Sequence, residues 1–261
     1  MSKKNPVKVL FLDIETCPIE AHVWSLWENN VSLNQIVSDW SILSWAAKWQ
    51  GNSKVFYEDT SKQRNKRNDK KILKQIWHLM DEADIIVSQN GKRFDVKKLN
   101  ARFIINGMKP PSSYRQIDTL VQAKKMFGFT SNKLEYMTDK LCKKYKKLKH
   151  KKFPGHEMWA ECLKGNSEAW KAMEKYNKHD VLALEELYNV MIAWDSPINM
   201  NVYHKDHASF CSACGHNKLI MNGHRFTNIG KYQKYKCKKC GKESQSKYNE
   251  LSPKKRREML K

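Results

Sequence analysis

The hydrophobic pattern opens with Val7-Lys8-Val9-Leu10-Phe11-Leu12-Asp13-Ile14-Glu15-Thr16, an apolar run whose end alternates between acid and apolar positions. A run of this length reads as a buried strand, and on a strand residues two apart share a face, so Asp13 and Glu15 should point into one pocket. Trp40 to Trp49 reads as a second strand and Lys54-Val55-Phe56-Tyr57 as a third, joined into a hairpin by the turn at Gln50-Gly51-Asn52. The charged stretch Lys62 to Lys71 reads as an exposed loop entering a helix over Lys71–Glu82, with Ile72, Leu73, Ile76, Leu79 and Met80 on one face. Ile85-Ile86-Val87-Ser88 forms a fourth strand, followed by a helix from about Asp95 to Asn106 and a short strand over Arg115–Asp118. Helical segments follow at Thr119–Phe127 and Lys133–Cys142. A long helix from Ser167 to Trp194 carries Leu182, Leu184, Leu187, Val190 and Met191 as its apolar stripe. Strands alternating with helices around a hairpin specify an α/β domain. The aromatic residues of the hairpin fit either core packing or stacking on bases. Glu20 to Asn34, with Trp24 and Trp27, simply follows the first strand.

Charge changes the picture most. The 261 residues include 49 Lys+Arg against 27 Asp+Glu, a formal net charge of +22, for which a polyanion is the expected partner. The length allows one medium domain and a small appendage. No signal peptide or membrane span is expected, so the reading is a soluble, intracellular protein with no membrane partner, cytoplasmic if bacterial or phage. Seven cysteines in such a chain argue for thiols or metal ligands over disulfides.

The acids are the candidate chemistry. Asp13 and Glu15 are either an ordinary strand end with two solvated carboxylates or, since paired anions on a buried strand repel, half of a divalent-metal site. Asp95 falls at the start of a helix beyond the carboxyl end of a strand, where it either caps the helix or meets a ligand. Tyr176 and Asp180 lie one turn apart on the long helix, and Asp180 precedes apolar Val181 and Leu182. A buried Asp is rarely left unpaired.

Taken together, Leu12-Asp13-Ile14-Glu15-Thr16, Asn90-x-x-x-Phe94-Asp95 and Tyr176-x-x-x-Asp180 resemble, in order, the motifs of the DEDD superfamily of 3′-to-5′ exonucleases. Tyr four residues before the last Asp marks the tyrosine branch, as in the proofreading domain of family B polymerases. The resemblance covers roughly Val7 to Ile192 and implies a ribonuclease H-like mixed sheet flanked by helices. It also implies two Mg²⁺ or Mn²⁺ ions held by Asp13, Glu15, Asp95 and Asp180. Asp13 would bridge them, with Glu15 and Asp180 on the first ion and Asp95 on the second. Two metals about 3.5 to 4 Å apart can stabilise both sides of a phosphodiester displacement. Tyr176, with an unperturbed pKa of about 10, is expected to position the attacking water. Asn90 and Phe94 are expected to contact the terminal nucleotide.

Beyond Ser196, residues 197–208 read as a linker. Cys211-Ser212-Ala213-Cys214-Gly215 and Cys237-Lys238-Lys239-Cys240-Gly241 then give two Cys-x-x-Cys-Gly knuckles, the ligand set of one closed structural zinc. The arrangement over residues 209–243 resembles a zinc ribbon; a redox pair is the alternative. His207, His216 and His224 are spare ligand candidates, while Cys17, Cys142 and Cys162 read as plain core thiols. The run Lys143–Lys152, the ribbon lysines Lys231, Lys234, Lys236, Lys238 and Lys239, and Lys254 to Arg257 in the tail 244–261 are either a backbone-binding surface or solvated faces. Tyr232, Tyr235 and Phe226 interleave with the ribbon lysines and suit either ribbon core or base stacking.

The leading expectation is therefore a two-metal 3′-to-5′ exonuclease of DNA or RNA. Its domain spans 1–196 and its partners are single-stranded DNA or a 3′ end, with replication or repair proteins as further partners. A structure-selective endonuclease or resolvase of the same fold is the first alternative, and a non-enzymatic nucleic-acid-binding protein the second. The Asp-x-Glu strand and the Tyr-x-x-x-Asp helix count against a resolvase, and the presence of all four acids against a pure binding protein.

Overall fold

The computed structural model describes residues 7–27, 30–146, 152–205 and 209–259, which divide into one unit over Lys8–Leu187 and a second made mostly of Tyr188–Lys261. In the first, β1 (Val9–Thr16) leads into a small flap, β2 (Glu20–Ala21) paired with β3 (Ile36–Ser38), and then into β4 (Ile42–Trp49) and β5 (Val55–Asp59). There follow α1 (Lys70–Asp81), β6 (Ile85–Ser88), α2 (Asp95–Ile105), β7 (Arg115–Asp118), α3 (Thr119–Met126), α4 (Leu134–Leu141), α5 (Glu157–Lys164) and α6 (Ser167–Met191). Five strands form one mixed sheet in the order β5-β4-β1-β6-β7. β1, β4 and β5 are antiparallel, and the tight β4–β5 turn places Gly51 at φ 73°. β6 and β7 run parallel to β1, with α1 and α2 on the crossovers.

The alternation in β1 sorts its side chains as expected. Leu10, Leu12 and Ile14 pack with Ile72, Leu73, Ile76 and Met80 of α1 and with Leu99 and Phe103 of α2. Each such aliphatic side chain taken out of water contributes about 1.5–3 kcal/mol. Trp45 is fully buried there and satisfies its indole N–H on the Ile72 carbonyl at 2.8 Å. Asp69, at the start of α1, clamps this side: its carboxylate accepts from Ile42 N at 3.0 Å and from Arg102 Nε and Nη2 at 2.6 and 2.9 Å. The opposite side of the sheet is covered by α5 and α6, where Leu43, Met158, Cys162, Trp170, Met173 and Tyr176 form a second cluster. Asp13 and Glu15 belong to this second face, because they alternate with the residues that face α1.

Several elements differ from the sequence reading. β4 begins at Ile42, leaving Trp40 partly buried against the core from outside the strand. α5 was not expected: it is only eight residues long, closed by Gly165 at φ 88°, and its buried positions Met158 and Cys162 are too few to show a period. α6 stops at Met191, short of Trp194. The stretch read as a linker contains a 3₁₀ turn over Met200–Tyr203 with Met200 buried, and the basic tail contains a short helix, α7 (Pro253–Glu258). His207 and residues 147–151 of the basic run lie outside the described residues.

In the second unit β8 (Leu219–Thr227), β9 (Gly230–Cys237) and β10 (Glu243–Gln245) form an antiparallel sheet in the order β10-β9-β8. Among the described residues no helix is long and apolar enough to cross a membrane.

Candidate active site

β1, α2 and α6 each deliver acids to one place. Asp13 is held by Asn177 of α6, whose Nδ2 donates to Asp13 Oδ2 at 2.6 Å and to the Asp13 carbonyl at 3.2 Å. Asn177 is fully buried, and its own Oδ1 accepts from Ser44 Oγ at 3.0 Å, so its orientation is fixed from β4. Glu15 accepts from Trp159 Nε1 of α5 at 2.9 Å. Asp95 is buried at the first position of α2, just past β6, and its Oδ1 accepts from Ile14 N at 3.1 Å. Tyr176 and the buried Asp180 are hydrogen-bonded one turn apart on α6, and the Tyr176 ring meets Trp159 edge-on with centroids 6.4 Å apart.

These groups act on one another electrically. Burial raises the Asp13 carboxyl well above the usual carboxylate range, and the charges of Asp95, Glu15 and Asp180 raise it further against the opposing hydrogen bond from Asn177. Burial also lifts Asp95 to about 7, opposed by the backbone N–H of Ile14. Burial raises Tyr176 too, followed by Asp180, Glu15 and Asp13, so it stays a neutral phenol across the physiological range. Four carboxylates thus converge where only protons or a cation can relieve their repulsion, and an all-oxygen donor set of this kind suits Mg²⁺ or Mn²⁺. No three of these acids have donor atoms all within 4.8 Å of one another, the spacing that the four cysteines of the second unit do reach.

The loop from β6 to α2 sets Asn90 and Phe94. Asn90 has φ 65°, a left-handed conformation that Asn tolerates better than most residues. At Gly91 a Cβ would lie 1.8 Å from Ser88 Oγ and 2.5 Å from Ser88 Cβ, so only glycine fits. Asp118, at the end of β7, accepts from Asn90 N at 2.9 Å and Lys92 N at 3.1 Å, fixing the loop. Phe94 immediately precedes Asp95, and Lys98 Nζ lies 5.8 Å from its ring.

Trp159, Asn177 and Asp118 were not singled out by sequence reasoning. Asn177 was within reach of it, since it sits three residues before Asp180 and hence on nearly the same helical face. Trp159 gave no signal because its helix was not expected.

The four thiols of Cys211, Cys214, Cys237 and Cys240 lie within 4.8 Å of one another, with Sγ–Sγ separations of 3.6 Å for Cys211–Cys240 and 3.7 Å for Cys214–Cys237. These are far beyond a disulfide bond of about 2.05 Å. They match the edge of a tetrahedron of about 3.8 Å that metal–sulfur bonds of about 2.3 Å would span. Both knuckles fold alike. Gly215 N donates to Cys211 O and Gly241 N to Cys237 O, at 2.9 and 3.0 Å, with the two glycines at φ 67° and 79°. Cys211 is lowered chiefly by the hydrogen bond it shares with Cys214. Cys17, Cys142 and Cys162 are buried singly.

Of the basic groups, Lys143, Lys144 and Tyr145 donate their backbone N–H groups to Glu186, which leaves the two lysine side chains exposed. Lys254 to Arg257 are exposed on α7. In the second unit Phe226 is exposed while Tyr232 and Tyr235 are half-buried.

A search among curated proteins finds no match. Among solved structures the chain is similar to the family B DNA polymerase from the hyperthermophilic archaeon Pyrobaculum calidifontis, at 13% identity and a TM-score of 0.46. The similarity covers 73% of this chain and 26% of that one, so the chain spans about a quarter of the polymerase's length. RNase_H_2, a family of the RNase_H superfamily, matches residues 41–192, which run from the start of β4 through α6. That match leaves out β1, but the structure seats β1 between β4 and β6 in the matched sheet. The matched stretch is more than half of the chain, and the chain belongs to the RNase H superfamily.

Proposed function

We propose that the chain is a metal-dependent 3′-to-5′ exonuclease that hydrolyses phosphodiester bonds of DNA or RNA. The observation that carries this reading is the convergence of Asp13, Glu15, Asp95 and Asp180 on one another from β1, α2 and α6, with Tyr176 beside them. Those four carboxylates would hold two Mg²⁺ or Mn²⁺ ions. Such ions stabilise developing charge on a phosphoryl group and lower the pKa of an attacking water. The protein's own contribution is positional. Asn177 fixes one oxygen of Asp13 and Trp159 one oxygen of Glu15, which sets the directions of the remaining oxygens. Tyr176, a phenol hydrogen-bonded to Asp180, would hold a water through its oxygen. Asn90 and Phe94 would receive the terminal nucleotide. The four thiols would hold one structural Zn²⁺, making the second unit a zinc ribbon whose lysines, with those of Lys143–Lys152 and α7, contact the phosphate backbone.

End-labelled single- and double-stranded DNA and RNA, together with a circular single strand, test the reading in Mg²⁺ or Mn²⁺. The expected result is stepwise shortening from the 3′ end with the circle untouched. Cleavage of the circle would replace it with an endonuclease.

Tyr176→Phe separates positioning from metal binding. Loss of an oriented water should slow turnover by about 10²- to 10⁴-fold. The metal concentration that gives half-maximal rate should stay unchanged, and a metal titration of activity measures both. An unchanged rate would remove Tyr176 from the mechanism.

A further inference from the structure

The flap formed by β2 and β3 is held at its root by hydrogen bonds and carries exposed apolar side chains beyond it. Arg67 pins both stems, donating from Nη1 to the carbonyls of Pro18 at 2.9 Å and Asp39 at 3.1 Å while pairing with Glu20. His22 N and Gln35 O are bonded across it at 2.9 Å. Beyond that root Trp24 is 99% exposed and Trp27 81% exposed, with Leu26 and Leu33 exposed beside them. Lone exposed apolar residues need no explanation, but two tryptophans and two leucines on one short flap do. The flap also departs from the chemistry of the rest of the chain. Between Lys8 and Lys48 there is no Lys or Arg, in a chain of net charge +22.

The flap is also continuous with the acid cluster. Its outgoing stem leaves β1 directly after Glu15 and Thr16. Its returning stem ends near Trp40, whose ring lies 3.5 Å from Lys98 Nζ, and the same ammonium lies 5.8 Å from the ring of Phe94, the neighbour of Asp95. Two aromatic rings bridged by one cation therefore connect the acids to the flap root. Phosphates require cations that the flap lacks, whereas the uncharged faces of nucleobases are matched by exposed indoles.

We propose that the flap is a stacking surface for unpaired bases, on which Trp24 and Trp27 hold a single-stranded nucleic acid whose end lies in the acid cluster. This rests on the nuclease reading above. It makes single strands the substrate class, because bases inside a duplex are stacked on one another and offer no free face to two successive indoles. It also divides the binding between a basic surface that reads phosphate and a flap that reads bases.

The test compares the full-length protein with Trp24→Ala/Trp27→Ala, and with Trp24→Phe/Trp27→Phe, in buffer without added divalent metal. The probes are oligothymidylate and oligouridylate of about 12 nucleotides and an abasic strand of the same length, each titrated across a salt series. The alanine pair should bind the base-bearing probes about tenfold or more weakly, the phenylalanine pair should recover most of that loss, and the logarithmic salt slope should not move. The abasic strand should bind wild type and variants alike. Equal binding of base-bearing probes by wild type and the alanine pair overturns the proposal, as does an equal loss on the abasic strand. A self-associating wild type that the alanine pair renders monomeric, with oligonucleotide binding intact, overturns it in favour of a protein interface. If wild type binds none of the probes the proposal fails, while the cleavage assay with metal decides the nuclease reading separately.

Discussion

Asp13→Asn should abolish hydrolysis and yet give a metal-free protein more stable than the wild type at neutral pH. Asp13 is the acid that feels all three others, and it keeps its hydrogen bond from Asn177 in the asparagine variant. Losing several kcal/mol of metal-centred charge stabilisation corresponds to a rate loss of about 10³-fold or more. The stability effect follows from the sign of the shift. A carboxyl whose pKa is raised by folding favours the folded state only while it is protonated, and that contribution is lost as pH rises from its ordinary value near 3.8 through its folded value. The gain in melting temperature from Asp13→Asn should therefore be present at about pH 7 to 8 and vanish near pH 4. Thermal melts across that range check it, and purified variant with full activity would remove Asp13 from the site. Asp95, lifted to about 7 by burial, should show the same trend in the variant Asp95→Asn.

Cys237→Ser should unfold the second unit while the first stays intact. β8, β9 and β10 expose Met221 and Phe226 and bury only Gly230 and Cys237, so the three strands bury little apolar area of their own. Metal binding at a four-thiolate site contributes about 10–16 kcal/mol to folding, more than such a core supplies. Limited proteolysis should release the segment beyond α6 from the variant, leaving a resistant fragment that contains Asp13, Glu15, Asp95, Tyr176 and Asp180. Wild-type protein should contain one zinc per chain by atomic absorption. A zinc-free wild type with the same protease resistance as Cys237→Ser would show that the thiols are not a metal site.

The central strand, the α1 stripe, the hairpin at Gly51 and the two cysteine knuckles could be read from the sequence because each is encoded locally. Strand and helix periods fix which side chains share a face, and glycine is the residue that tolerates the positive φ of a tight turn. The sequence thereby determined that Asp13 and Glu15 face the same way, that Tyr176 and Asp180 stand one turn apart, and that four thiols come in two matched pairs. What it could not determine is what each acid meets. Asn177 on Asp13, Trp159 on Glu15 and Ile14 N on Asp95 are contacts between residues 164, 144 and 81 positions apart, and no local period records them. The eight-residue α5 is too short to be stable alone and exists because Met158 and Cys162 find a sheet face to cover. Likewise, a tryptophan in a polar stretch can be core or surface. Burial of Trp45 and exposure of Trp24 are settled by what packs against each, and only the tertiary structure supplies that.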